Sequence, residues 1–368
     1  MLLEGNSIGK RFVITCFGES HGRCVGVTID GCPAGLPLTK QDIQQELNKR
    51  IPPNVEIVSA RREKDIVEIL SGTFNSYTTG APICTLIWNE EAISSEYDLI
   101  KDTPRPGHAD YPARIKYGSF NDYRGGGRFS GRITVAFVMA GAIAKKLLVF
   151  FGVEVLAYAT EIGKVKLVTT PTLEEIRGNT YQTAVRCPDL EIAREMEKAI
   201  LKAKKEGDSL GGIVECIVSN VPVGIGEPLF DSLDADIAKT LFDVPAIKGV
   251  EFGAGFKAAQ LKGSENNDPY AIRQEKIVTL TNNAGGILGG LSSGMPILVR
   301  AAIKPTPSIR KEQKTVDLSK MEETLIQIKG RHDPCIVPKA VPVIESAVAT
   351  VLIDHMLRAG FIPQVLGG

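Results

Sequence analysis

The sequence predicts a mixed α and β fold, one domain built from two related halves; three observations lead there. Short apolar runs of strand length alternate with longer stretches of helical periodicity. The pentapeptide Gly18-Glu19-Ser20-His21-Gly22 returns 189 residues later as Gly207-Asp208-Ser209-Leu210-Gly211. Both copies then run through the same series, a short apolar strand, a Pro-x-Gly turn and an amphipathic helix.

Taken in order, strands are expected near Phe12 to Thr15, Cys24 to Ile29, Ile66 to Leu70, Ile83 to Trp88, Ile213 to Val218 and Ile297 to Ala302. Each is a run of β-branched or large apolar residues bounded by Gly, Pro, Asn or Asp. Helices are expected over Asp42 to Lys49, Thr134 to Val149, Leu190 to Lys205 and Val343 to Arg358. The third carries Ile192, Met196, Ala199, Ile200 and Ala203 on one side and stops at Gly207, which suits a C-cap. The segment Ile133 to Phe151 is the most hydrophobic of the chain, but Lys145-Lys146 interrupts it, so it reads as a buried helix rather than a bilayer span.

The repeat extends beyond the pentapeptide. Cys24 to Leu36 lies over Ile213 to Ile225 at the same offset, and at an offset five residues longer Asp42 to Leu47 lies over Asp236 to Leu241. Two copies at so long a period indicate an internal duplication rather than a solenoid. The halves, about 9–160 and 205–358 of a single domain over 1–368, have no Pro/Ser linker between them. Titratable groups stayed on one side only: His21 faces Leu210, and Lys49-Arg50 faces Asp243-Val244.

Composition narrows the class. The 368 residues carry 43 basic and 43 acidic side chains, so there is no electrostatic case for nucleic acid or a membrane surface as partner. Seven scattered cysteines without a close Cys-x-x-Cys pair indicate neither a disulfide framework nor a zinc ribbon and suit a reducing cytoplasm. The first residues lack a basic leader and a long apolar stretch, so no signal peptide is expected. His21, His108, His332 and His355 lack the spacing of zinc ligands, and no metal site is expected.

Four segments carry candidate chemistry. His21, between glycines on a strand-to-strand loop, is placed to donate a proton to a ligand, or is a loop histidine without a role. The segment from Lys101 to Arg132 holds seven basic and three acidic side chains in an otherwise neutral chain. It is a local anion site or a solvated face. The run Arg124-Gly125-Gly126-Gly127-Arg128-Phe129-Ser130-Gly131-Arg132 favours the site, because guanidinium forks and exposed amides suit phosphate or carboxylate. The same segment contains a second loop histidine, in Arg105-Pro106-Gly107-His108-Ala109-Asp110. A glycine run from Asn282 to Gly294, followed by Lys304-Pro305-Thr306-Pro307-Ser308, offers amides and hydroxyls to a large polar ligand and matches neither the dinucleotide fingerprint nor the P-loop. Gly330-Arg331-His332-Asp333-Pro334 sets a cation, an imidazole and a carboxylate in consecutive positions, for proton transfer or as a capped turn.

These motifs together resemble the chorismate synthase family. The likeness runs from Asn6-Ser7-Ile8-Gly9 to the last helix, through Gly18 to Gly22, Arg105 to Asp110, Tyr123 to Arg128, Lys248-Gly249-Val250-Glu251, the glycine run from Asn282, and Gly330 to Cys335. It implies a sandwich of helices between two antiparallel sheets, assembled as a homotetramer. It also implies a reaction, the anti 1,4-elimination of phosphate from 5-enolpyruvylshikimate 3-phosphate, with an absolute need for reduced FMN. On this resemblance His21 would protonate the departing phosphate, His108 would sit by the flavin N1 and O2 edge, and Asp333 would take the proton that reaches the flavin from substrate C6. Ser20, Arg50, Arg132 and Arg331 would hold the substrate, with Arg50 also meeting NADPH. Arg128, Phe129, Ser130, Pro245, Ala246, Gly289, Lys304, Pro305, Thr306, Pro307, Ser308 and Arg331 map onto the flavin-binding positions. Phe129 and Ile133 depart from the family pattern, with loss of a hydroxyl and a carboxylate near the flavin. Glu56 stands where some members carry a second arginine for NADPH, which argues against direct reduction by NADPH and for an external flavin reductase.

Overall fold

A computed structural model describes residues 5–53, 55–57, 65–89, 100–328 and 332–367. Two five-stranded antiparallel sheets enclose a double layer of helices. The first sheet contains β1 (Ser7–Ile8), β2 (Val13–Gly18), β3 (Cys24–Asp30), β4 (Val67–Ile69) and β5 (Ile83–Trp88), in the order β1-β2-β3-β5-β4. The second contains β6 (Glu154–Ile162), β7 (Val165–Lys166), β8 (Gly212–Ser219), β9 (Ile247–Phe252) and β10 (Ile297–Ile303), in the order β9-β10-β8-β6-β7. Helices α1 (Lys40–Asn48) and α2 (Thr134–Phe150) lie on the first sheet's side. Helix α3 (Leu190–Lys205) packs on β6 and β7, and α4 (Leu233–Phe242) and α5 (Val337–Arg358) lie on the second sheet's side.

The duplication is visible in the pairing. Strand β3 lies between β2 and β5 with β4 beyond, and β8 lies between β6 and β10 with β9 beyond. Each half therefore runs strand, strand, helix, strand, strand, long helix, with β7 and α3 inserted before β8. The helix starts agree as well. Thr39 caps α1 with a reciprocal Thr39–Asp42 capping box, and a second hydroxyl residue, Ser232, holds the N-cap position of α4, without a side-chain cap hydrogen bond.

Periodicity explains which faces meet. Alternate residues of β8 (Val214, Cys216, Val218) and β10 (Ile297, Val299, Ala301, Ile303) are buried, as a sheet with one covered face requires. The two long helices are apolar enough to cross a membrane, yet α5 is buried throughout and α2 over most of its length, so both are core helices. Their crossing depends on Gly141, where a Cβ would collide with Ser346.

All the expected elements are present; one helix starts earlier than expected, and further elements, among them β1, β7, the Asp110–Lys116 and Leu173–Asn179 helices and the small hairpins, were not expected. Helix α5 begins at Val337, six residues before the expected start, because Pro338 falls in its first turn, where no N–H partner is needed, and Pro342 is accommodated inside the helix. Strand β6, the longest strand, and β9 were not expected. β6 is rich in alanine with glutamate at both ends, which leaves a weak β signal although Val155, Ala157 and Ala159 alternate inward.

Candidate active site

One wall of the site grows from the first sheet. The turn between β2 and β3 leaves Ser20 and His21 buried beneath the arginine-glycine loop, and the Ser20 N–H donates to the Gly127 carbonyl at 3.2 Å. Gly125, Gly126 and Gly127 have φ of 59°, 83° and 52°, a left-handed run that side chains resist. A Cβ on Gly125 would stand 2.6 Å from His21 Nε2 and 2.8 Å from Ser20 Oγ, and one on Gly126 would stand 3.1 Å from His108 Nε2. Two successive glycines therefore seat the two loop histidines side by side.

The orientation of His108 is set by its own loop. His108 Nδ1 lies 2.7 Å from Asp110 Oδ1, and Arg105 grips the same carboxylate through Nε at 2.8 Å and a second nitrogen at 2.8 Å. A carboxylate only accepts, so pairing with Asp110 calls for a proton on Nδ1, although Arg105 Nη2, a donor, also lies 3.1 Å from Nδ1 and 3.4 Å from Nε2. Burial pushes the Asp110 carboxyl up, but hydrogen bonds and charge from Arg105 and His108 outweigh it and hold the group well below the usual carboxylate range. Asp122 behaves alike: burial raises it, while Arg124 and then the His21 charge bring it below its ordinary value.

The segment Lys304 to Ser308 closes onto this wall. Arg105 donates to Ser308 Oγ at 3.2 Å, and Lys304 Nζ donates to the Gly107 carbonyl. Lys304 N–H also donates to Ala246 at 2.9 Å, which ties in the Pro245-Ala246 turn; Ala246 has φ 77°, a strained value for a residue with a side chain. From the other side the second-repeat loop supports the same segment. Ser209 Oγ donates to the Thr306 carbonyl at 2.7 Å, and a Cβ on Gly211 would stand 3.0 Å from Pro305 Cδ. Leu210 N–H donates to the Pro334 carbonyl at 2.8 Å and pairs with Cys335, so the loop also fixes the residues beside Asp333. Asp333 Oδ2 meets Lys339 Nζ at 2.7 Å.

The arginines expected to bind anions diverge. Arg124 pairs with Asp122, and Arg128 turns inward, to Asn6 Oδ1 and to the Cys16 and Gly18 carbonyls of β2. Arg132 and Arg50 do meet. Arg132 bonds Asp65 and, at 3.1 Å, Asn89 Oδ1; Arg50 lies 3.6 Å from Asp65 and donates to Thr134 Oγ1 at 3.1 Å. The Asn89 amide also donates to the Glu19 and Gly22 carbonyls, at 3.1 and 2.8 Å, joining this pair to the His21 loop. Phe129 is half-exposed, and Ser130 Oγ accepts from Arg132 N–H at 3.3 Å. Gly289 lies in the turn of the Ile287–Leu288 and Leu291–Ser292 hairpin, whose neighbouring Gly290 carbonyl accepts from Leu233 N–H and whose Leu291 pairs with Gly226. Arg331 lies outside the described residues.

Sequence reasoning assigned no role to Asp65, Asn89 or Lys339, which are distant or differently typed partners. For Asp110 a signal was at hand: a carboxylate two residues from His108 and five from Arg105 within one turn.

A family model described as chorismate synthase matches residues 12–357. A chorismate synthase of Dehalococcoides mccartyi is 55% identical over 361 residues, 98% of this chain and 99% of that protein. One of Methanosarcina barkeri is 55% identical over 365 residues, 99% of this chain and all of that one. A crystal structure of chorismate synthase superposes with a TM-score of 0.74 at 30% identity, over 98% of this chain and 94% of that one. With two related halves around a shared helical layer, two histidines on one glycine loop and this likeness over nearly the whole length, the chain belongs to the chorismate synthase family of lyases.

Proposed function

We propose that this enzyme forms chorismate by anti 1,4-elimination from 5-enolpyruvylshikimate 3-phosphate, with a C–H bond at C6 and the C–O bond at C3 broken and phosphate and one proton released. The observation that carries this reading is the seating of His21 and His108 on consecutive glycines, with the His21 loop tied through Asn89 to the Arg50–Asp65–Arg132 cluster. The substrate brings one phosphate and two carboxylates, and paired arginines with forked donors suit such groups.

The residues fit a reduced FMN as well. Ser20 Oγ and Thr306 Oγ1 are buried hydroxyls with no hydrogen-bond partner among the described residues, one on each wall, as a polar ligand between the walls requires. Arg128, Phe129, Ser130, Pro245, Ala246, Gly289, Arg331 and Lys304 to Ser308 would hold it. When bound, reduced flavin supplies electron density to the breaking C–O bond. The protein does the rest. His21 holds a proton for the departing phosphate, and Asp110 and Arg105 fix the His108 ring with Nε2 toward the ligand. Arg50 and Arg132 exchange Asp65 for substrate anions, and Asp333 accepts the proton lost from the substrate.

The same reading includes a homotetramer, a cytoplasmic location and a flavin reduced by a separate reductase. Exposed apolar side chains such as Phe256, Ile272 and Ile277 support subunit contacts, and Glu56, exposed at its position, offers no cation to NADPH. Anaerobic turnover of 5-enolpyruvylshikimate 3-phosphate with and without reduced FMN tests the function. Chorismate should appear only with the reduced flavin; phosphate release without it would mark a phosphatase, and flavin binding without turnover a carrier. Bleaching of FMN by NADPH alone would overturn the need for a reductase.

A further inference from the structure

The insertion between β7 and α3 contains a buried arginine with no role in the chemistry above. Arg186 is 2% exposed, and its backbone has φ 63°, the left-handed region that a residue with a side chain enters at a cost. The four hydrogen bonds of its guanidinium all end on main-chain carbonyls. Two stay local, to Tyr181 at 3.0 Å and Thr183 at 3.3 Å. The other two reach across the molecule to Lys49 at 2.7 Å and Ile51 at 3.0 Å. The guanidinium also lies over the Tyr181 ring, 4.9 Å from its centroid.

Lys49 is the C-cap of α1, and Ile51 lies two residues beyond. Carbonyls at a helix C-terminus lack intrahelical donors and carry the negative end of the helix dipole, so a buried cation is at home there. The two acceptors are the carbonyls on either side of Arg50. The backbone of Arg50 is therefore clamped from both sides by one rigid planar group, while its side chain runs to Thr134 and Asp65. Both of these bonds come from Nη2, while Nη1 holds the local pair, so the single nitrogen of a lysine could keep one pair of carbonyls but not both.

We infer that Arg186 is a positioning residue that acts through Arg50, fixing the end of α1 so that the Arg50 guanidinium stands ready for a substrate anion. This rests on the proposed role of Arg50. Its backbone anchors support the same reading, because the Arg186 carbonyl accepts from Ala159 N–H of β6 at 2.9 Å, which ties the clamp to the second sheet.

The test is a double-mutant cycle with Arg186→Met and Arg186→Lys in the parent and in Arg50→Ala, with kcat and KM for 5-enolpyruvylshikimate 3-phosphate measured anaerobically with reduced FMN, and thermal melting alongside. Arg186→Met should raise KM on the order of 10- to 100-fold, with a smaller change in kcat, as expected for a displaced binding group. Arg186→Lys should recover part of that loss. In the Arg50→Ala background neither change should raise KM further. Equal losses in both backgrounds, or unfolding of both Arg186 variants, would show that the residue holds the fold and not Arg50. A parental KM in Arg50→Ala would remove the assignment of Arg50 and this inference with it, whereas a large loss there with additive Arg186 effects removes this inference alone.

Discussion

The loops Gly18–Gly22 and Gly207–Gly211 occupy the same place in the two halves, each leading into the central strand of its sheet, yet they do different work. The first places a buried imidazole against a glycine turn, with Gly125 held within contact distance of His21. The second has Leu210 in the equivalent place, packed 3.3 Å from the Cβ position of Gly163, and its amide and hydroxyl groups hold Pro334 and Thr306. Both bring glycine to a crowded crossing. Only the first carries an imidazole. On the proposed function one loop keeps the chemistry and the other supports the opposite wall.

The sharpest way to break the comparison is to exchange the roles. His21→Ala should lower turnover by about 10²- to 10⁴-fold with the fold retained, whereas Leu210→Ala should leave turnover within a few fold of the parent. Steady-state rates with melting curves decide it, and a Leu210→Ala enzyme as inactive as His21→Ala would mean that the second loop takes part in the reaction. Next in size, Asp333→Asn keeps the shape but cannot accept a proton, so turnover should fall by about 10²-fold while substrate affinity stays near parental. Lost flavin affinity with normal turnover at saturation would make Asp333 a ligand-holding residue instead.

A smaller effect sharpens the role of the glycines. Gly125→Ala forces a side chain into the left-handed region and into the His21 ring, and should cost about 10-fold or more in turnover through misplacement. Gly163→Ala, the counterpart that faces Leu210, should cost about 1 kcal/mol of stability and little activity. Equal activity losses in the two variants would erase the distinction between the loops.

The smallest expected effect is a pH dependence. The folded Asp110 carboxyl titrates below its unfolded value, so its stabilisation is complete above about pH 4 and is lost as pH falls toward the folded value. Asp110→Asn should therefore be less stable by about 1 to 2 kcal/mol at neutral pH, and the gap should close as the medium is acidified below about pH 4. Denaturant unfolding across that range measures it. A gap that widens on acidification would contradict the ion pair.

The strands β2, β3, β5, β8 and β10, the long helices and the repeat itself were legible because period, caps and turn residues are local properties of the chain. So was the loop placement of His21, His108 and Asp333, because glycine, proline and aspartate around them mark loops. β6 was missed because alanine and glutamate carry little strand preference. The divergence of Arg124, Arg128 and Arg132 was missed because four-residue spacing implies a common face only on a regular helix, and Gly125 to Gly127 break that geometry with positive φ.

What the sequence determined by itself is the list of groups and their local settings: a histidine between glycines, a capped helix ending at Lys49, a carboxylate next to Pro334. Their meeting was decided only by the tertiary structure. Asp65 joins Arg50 to Arg132, Arg105 joins His108 to Ser308, and Arg186 reaches the end of α1, each across a stretch of chain whose length says nothing about distance in space. Propensity and capping act over a few residues, while these contacts follow from how two twisted sheets close on α2 and α5, a packing that becomes defined only when the whole chain is buried at once.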